Sequence, residues 1–138
     1  MAEDKKTDAG FYTKLESKVM QLRLQMECYL NHAPRHEREA LCRRIRDRED
    51  EVYEGIIECR KRYYNKTSLT KLDIAHEKLR GLIFLFFKSG YFDYRKHQKA
   101  GDPAEELRRF TNINVQVNEI GAMIGGIIKS VRAEMNSN

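Results

Sequence analysis

A chain of 138 residues, 34% of them charged and only two of them proline, has room for one core and is expected to fold as one helical domain. Its formal net charge of +5 and pI of about 9.1 favour an anionic partner. The three cysteines include no C-x-x-C pair and argue against a disulfide framework, and the longest uncharged apolar run, Ile120–Ile128, falls far short of the ~20 residues that cross a bilayer.

The start, Met1–Gly10, is polar and lacks a secretory pattern, so a soluble, cytoplasmic protein with reduced thiols and no membrane partner is expected. Residues 1–11 read as disordered. A first helix is expected from about Tyr12 to Leu30, where Leu15, Val19, Leu22, Met26 and Tyr29 alternate steps of four and three, the signature of a bundle seam. Pro34 breaks it, because proline disfavours helix at the residue before it.

A second helix is expected from Arg35 to Tyr64, with Leu41, Ile45, Val52, Ile56, Cys59 and Tyr63 on one face. Arg48 falls where that seam wants an apolar group. Its stem is read as packing on apolar surface while its head reaches water, the alternative being a pair with an inward carboxylate. Asp47, Glu51, Glu54 and Glu58 read as a solvated acidic face. After a turn at Asn65–Ser68, with Thr67 or Ser68 as N-cap, a third helix carries Leu69, Leu72, Leu79, Ile83 and Phe86 as its core stripe. Ser89-Gly90 ends it. Tyr91–Gly101 is a basic and aromatic connection, and Asp102-Pro103 opens a fourth helix. That helix runs to about Arg132 on a seam of Leu107, Phe110, Ile113, Val117, Ile120, Ile124, Ile127 and Val131. Residues 133–138 are expected to fray.

The fold class that follows is all-α, an up-down four-helix bundle over residues 12–132. Such a bundle needs one apolar stripe per helix. Leu82–Phe87 and Ile120–Ile128 are apolar on more than one side, so their second faces are expected to bury against sister copies. The expected interface comprises Leu82, Phe84, Phe87, Gly121, Ala122, Gly125 and Gly126. A glycine inside a helix costs ~1 kcal/mol relative to alanine, and close approach of another backbone is the compensation expected here.

Catalytic signatures are not found. The chain has no H-E-x-x-H and no G-x-S-x-G, and Gly126-Ile127-Ile128-Lys129-Ser130 fails as a phosphate loop because it reads as helix. Pro34 separates His32 from His36, and Cys28 with His32 makes too few ligands for zinc. The expectation is a non-enzyme with no cofactor and no metal.

The basic residues are distributed unevenly. Residues 67–100 carry a net charge of +4, the largest excess of any stretch. Lys71, Lys78, Arg80 and Lys88 fall on or near one side of the third helix. Arg95, Lys96, His97 and Lys99 follow in the connection, interleaved with Tyr91, Phe92 and Tyr94. Arg35, Arg38, Arg43, Arg44 and Arg46 crowd the start of the second helix. Cationic heads contact phosphates and aromatic faces stack on bases, so these residues are candidates for nucleic-acid binding without base-specific readout. Solubility charge balanced by intrahelical pairs is the alternative, and it is strongest on the acid-rich second helix.

A helix ending before Pro34-Arg35, then Leu41 and Ile45, then Ala75, Leu79-Arg80 and an apolar run to Ser89-Gly90, and finally Asn118-Glu119-Ile120-Gly121 with Ile124-Gly125-Gly126-Ile127-Ile128-Lys129 together resemble the accessory variability determinant of diversity-generating retroelements. That group is related to the ribosomal-RNA intervening-sequence proteins. The resemblance covers about residues 12–132 and is most specific in the glycine-rich fourth helix. It implies a homopentameric barrel of four-helix bundles with a basic surface and no active site. It also implies partners: template RNA or other nucleic acid, and a reverse transcriptase whose mutagenic copying the protein supports.

Overall fold

The computed structural model describes the backbone of residues 2–62, 65–93 and 102–137 and the side chains of 10–62, 65–93 and 102–136. Among the described residues there are four α-helices, α1 (Ala2–Asn31), α2 (Leu41–Lys61), α3 (Lys66–Lys88) and α4 (Pro103–Ser137), with a short 3₁₀ turn, η1 (Arg35–Glu37), between α1 and α2. Among the described residues there is no strand. Each helix packs on its two cyclic neighbours: α1 on α2 and α4, and α3 on α2 and α4. The contacts fix the directions. Arg46, early in α2, meets Glu27, late in α1, whereas Arg60, late in α2, meets Glu16 of α1. Phe87 near the end of α3 stacks on Phe110 near the start of α4. The molecule is an antiparallel four-helix bundle.

The seams pack as their spacing predicts. Leu15, Val19, Leu22, Met26 and Tyr29 of α1, Leu69, Leu72, Leu79, Ile83 and Phe86 of α3, and Ile113, Val117, Ile120 and Ile124 of α4 are all buried. Leu107, expected in the α4 seam, is instead 54% exposed, and Tyr63 lies outside the described residues. In α2 the steps of four and three pass through Ile45, Glu49, Val52, Ile56 and Cys59, so the inward slot belongs to Glu49 rather than Arg48. Arg48 points outward and pairs with Glu51, three residues on.

The boundaries differ from the expected ones for local reasons. Helix α1 begins at Ala2, ahead of Tyr12, on residues that include no proline and many helix formers. At its other end, α4 continues to Ser137. The segment after Pro34 forms η1 rather than a first turn of α2, which starts only at Leu41. Neither Thr67 nor Ser68 caps α3. The cap position is Asn65, whose amide donates instead to the Tyr12 hydroxyl (3.0 Å) and the Cys59 carbonyl (3.1 Å). Ser68 is buried and accepts a hydrogen bond from Arg62.

The C-terminus of α3 is closed by Gly90 at φ +81°, a left-handed conformation that suits glycine. The Gly90 N–H donates to the Phe87 carbonyl and the Tyr91 N–H to the Phe86 carbonyl, satisfying two terminal oxygens. This reversal drives Phe92 into the bundle, where it is fully buried, 5.0 Å from both Tyr29 and Phe86 by ring centroids. Arg109 of α4 donates to the Phe92 carbonyl at 2.8 Å and holds the plug from the other side. Asp102 accepts the N–H of Ala104 at 3.0 Å and caps α4, with Pro103 as its first residue.

Candidate nucleic-acid interface

The antiparallel order brings the α1–α2 turn, the end of α3 and the start of α4 to one end of the bundle. The contacts Tyr29–Phe92 and Phe87–Phe110 tie them together, and a hydrogen bond from the Tyr91 hydroxyl to the Glu37 carboxylate pushes Tyr91 up to about 12. Two basic groups that are remote in sequence thereby share that end. Arg43 and Arg44 come from the start of α2, and Lys88 comes from the end of α3. Arg44 has no ion-pair partner among the described residues, whereas Arg43 pairs with Glu39 at 2.9 Å. Arg46 is held more firmly, in a two-point pair with Glu27 at 2.8 and 3.1 Å. The Lys88 ammonium lies 5.6 Å from the Phe84 ring centroid and 5.9 Å from that of Phe87. Arg95, Lys96 and Lys99, with His97 and Tyr94, lie outside the described residues.

The remaining α3 candidates do not join this group. Lys71 stands 17 residues before Lys88, about 25 Å along a helix axis. Lys71 and Lys78, seven apart, share an exposed face with Ile74 between them. Arg80 is turned inward. Its Nη1 donates to the Asn118 side chain of α4 and its Nε faces Glu77 at 3.4 Å. Arg80 is therefore a joint between α3 and α4, and only part of its charge reaches the surface.

This joint also explains one of the glycines. A Cβ placed on Gly121 would stand 2.9 Å from Arg80 Nη2 and 3.1 Å from His76 Nε2. Gly121 thus makes room for two side chains of its own bundle. A Cβ on Gly125 or Gly126 would meet nothing within 4 Å. Leu82 likewise belongs to the protomer's own core rather than to an outer face, and Phe87 is half-buried in its stack on Phe110 at 4.2 Å and 9°. Phe84, Ala122 and Gly126 are exposed, and Gly125 is partly so. Leu85, Leu107 and Val115 are also exposed.

Tyr91 and Phe92 are not free to stack on bases: one is bound to Glu37 and the other fills the core. Two buried polar groups, Glu49 and His76, are not among the candidates that the sequence singles out. Glu49 is 1% exposed with neither carboxylate oxygen hydrogen-bonded, and burial pushes its carboxyl up to about 8 despite Arg23 and Arg46. His76 is equally buried, and desolvation, then Arg80, pulls its imidazole down, so it is held neutral. The signal for Glu49 was its place in the four-three alternation.

Cys42 and Cys59 are buried thiols, both pushed up by desolvation, Cys59 to about 11. Among the described residues no three His, Cys, Asp or Glu side chains converge as a metal site, and no helix is long and apolar enough to cross a membrane. Compared with known proteins, the chain matches no family model, no curated protein and no solved structure.

Proposed function

We propose that this chain is a non-catalytic nucleic-acid-binding accessory protein that works as an assembly of identical subunits, probed most directly by its affinity for single-stranded RNA. In this reading it serves a diversity-generating retroelement, holding template RNA beside a reverse transcriptase that performs the chemistry. The observation that carries the nucleic-acid reading is that Arg44 and Lys88, from opposite halves of the sequence, stand at the same end of the bundle. The retroelement role and the pentamer rest on the sequence resemblance. The exposed large apolar side chains Phe84, Leu85, Leu107 and Val115 support self-association, because exposed apolar area is a feature of contact sites.

The test is a salt titration of single-stranded RNA binding. A phosphate binder loses affinity with a log–log slope of about −0.7 per neutralised phosphate on a single strand. A steep slope is expected, and no binding at low salt refutes the assignment. A protein-only scaffold is the second reading. It is favoured by Met20 and Leu24, exposed one turn apart on α1.

A further inference from the structure

The α1–α2 turn holds a feature that the interface described above does not use. Asn31, His32, Ala33, Pro34, Arg35, His36 and Arg38 line an open groove of about 810 Å³. Its shape follows from the turn. Helix α1 closes with His32 and Ala33 N–H groups donating back to Tyr29 and Leu30, and buried Ala33 anchors the chain beneath. Pro34 at φ −56°, ψ 146° then turns the backbone into η1. In a 3₁₀ turn residues three apart eclipse one another. Arg35 and Arg38 are such a pair, joined by the Arg38 N–H to Arg35 carbonyl bond at 3.2 Å. Two arginines therefore share one side of one tight turn, and both line the groove.

Like charges at that spacing repel unless an anion sits between them, and the nearby acids are committed elsewhere. Glu37 accepts the Tyr91 hydroxyl, and Glu39 pairs with Arg43. Arg35 and Arg38 have no ion-pair partner among the described residues, and no carboxylate lines the groove. The His32 ring donates through Nδ1 to the Cys28 carbonyl at 2.7 Å, which fixes the ring on the end of α1. Arg46, locked on Glu27, also reaches Asn31 Oδ1 at 3.4 Å and steadies the groove wall.

We infer that the Arg35–Arg38 groove is a phosphate site, taking a single phosphate group between the two guanidinium forks. Arginine is suited to this because its planar fork binds phosphate oxygens two at a time. The phosphate belongs either to a nucleic-acid strand or to a free phosphate monoester. The first source rests on the function proposed above, and the second does not.

The experiment is a ¹H–¹⁵N spectrum of the full chain titrated separately with inorganic phosphate, adenosine monophosphate and a single-stranded RNA. The R35A/R38A double variant serves as comparison and K71A/K78A as the control for general charge loss. Both pairs are exposed, and circular dichroism checks that the fold is kept. Shifts concentrated on residues 31–38 with all three ligands, and a loss of RNA affinity of about tenfold or more in R35A/R38A with a salt slope shallower by roughly 0.7, support the site and its nucleic-acid source. Shifts with phosphate and the monophosphate, but RNA binding absent or unchanged in the variant, support the site with the monoester as its source. If RNA binding is absent altogether, that second result also removes the proposed function. Shifts spread over Lys71 and Lys78 as strongly as over 31–38, or equal affinity for phosphate in wild type and R35A/R38A, overturn the inference.

Discussion

Glu49 makes the stability of this protein depend on pH in a direction opposite to most carboxylates. Its carboxyl sits in the α2 seam between Ile45 and Val52, with neither oxygen hydrogen-bonded, and titrates near 8 against 4.5 for the unfolded chain. The folded state thus holds a proton that the unfolded state releases. Stability is fully present below pH 4.5 and falls as pH rises towards 8, where it levels off. Each unit of difference is worth ~1.4 kcal/mol, so the loss at pH 7 is on the order of 3 kcal/mol. For a chain of this size that is about 10 °C in Tm. His76 works in the other direction, since its depressed imidazole costs stability as pH falls through the range below 6.5. The decisive quantity is therefore a difference between two proteins. The E49Q variant keeps the shape and removes the titration. Its Tm minus that of wild type, followed by circular dichroism melts from pH 5 to 8.5, should climb by about 10 °C. A difference that stays flat across that range would show that Glu49 is hydrated or paired in the folded state, and the reasoning would fail.

Two further outcomes follow from the packing. G121A should destabilise the bundle by about 1 kcal/mol, because crowding against His76 and Arg80 outweighs the gain in helix propensity, whereas G126A meets open space in the protomer. Denaturant titration with light scattering separates the roles: if copies associate through Gly126 as proposed, G126A should shrink the assembly, and an unchanged mass with a higher Tm would remove Gly126 from any subunit interface. F87A should cost about 3 kcal/mol through loss of its stack on Phe110, while F84S, on an exposed ring, should cost less than about 1 kcal/mol yet weaken self-association. Equal losses for the two would contradict the burial difference between them.

Much of the fold was legible in the linear pattern because bundle seams repeat. Leu15 to Tyr29 and Ile113 to Ile124 needed only their spacing to be placed. What the pattern could not show was which polar residue enters a seam. Arg48 drew attention as the longer and more obvious charge, but helical phase puts Glu49 inward, and the phase of Ile45 and Val52 already implied it. The glycines were legible as small residues but not by neighbour. Gly121 serves Arg80 and His76, contacts across 41 and 45 positions that no local pattern encodes. The candidate site was harder still. Lysines and arginines announce charge, but whether Arg46 or Arg80 offers that charge to a ligand depends on Glu27 and Asn118, one helix away. The connection after Gly90 looked like a soluble basic loop with rings for stacking. Burial of Phe92 turned one of those rings into part of the core.

That buried ring has a consequence for how the cationic end meets anything it binds. Phe92, Phe86, Phe87, Phe110 and Tyr29 interlock directly beneath it, with neighbouring centroids 4.2 to 6.3 Å apart. Guanidinium and ammonium groups mounted on such a footing keep their stems' starting points still while only their tips sample space. A flexible strand arriving there has its own motion to surrender, but little of the protein's, so the host contributes a ready-made floor rather than a surface that must first set.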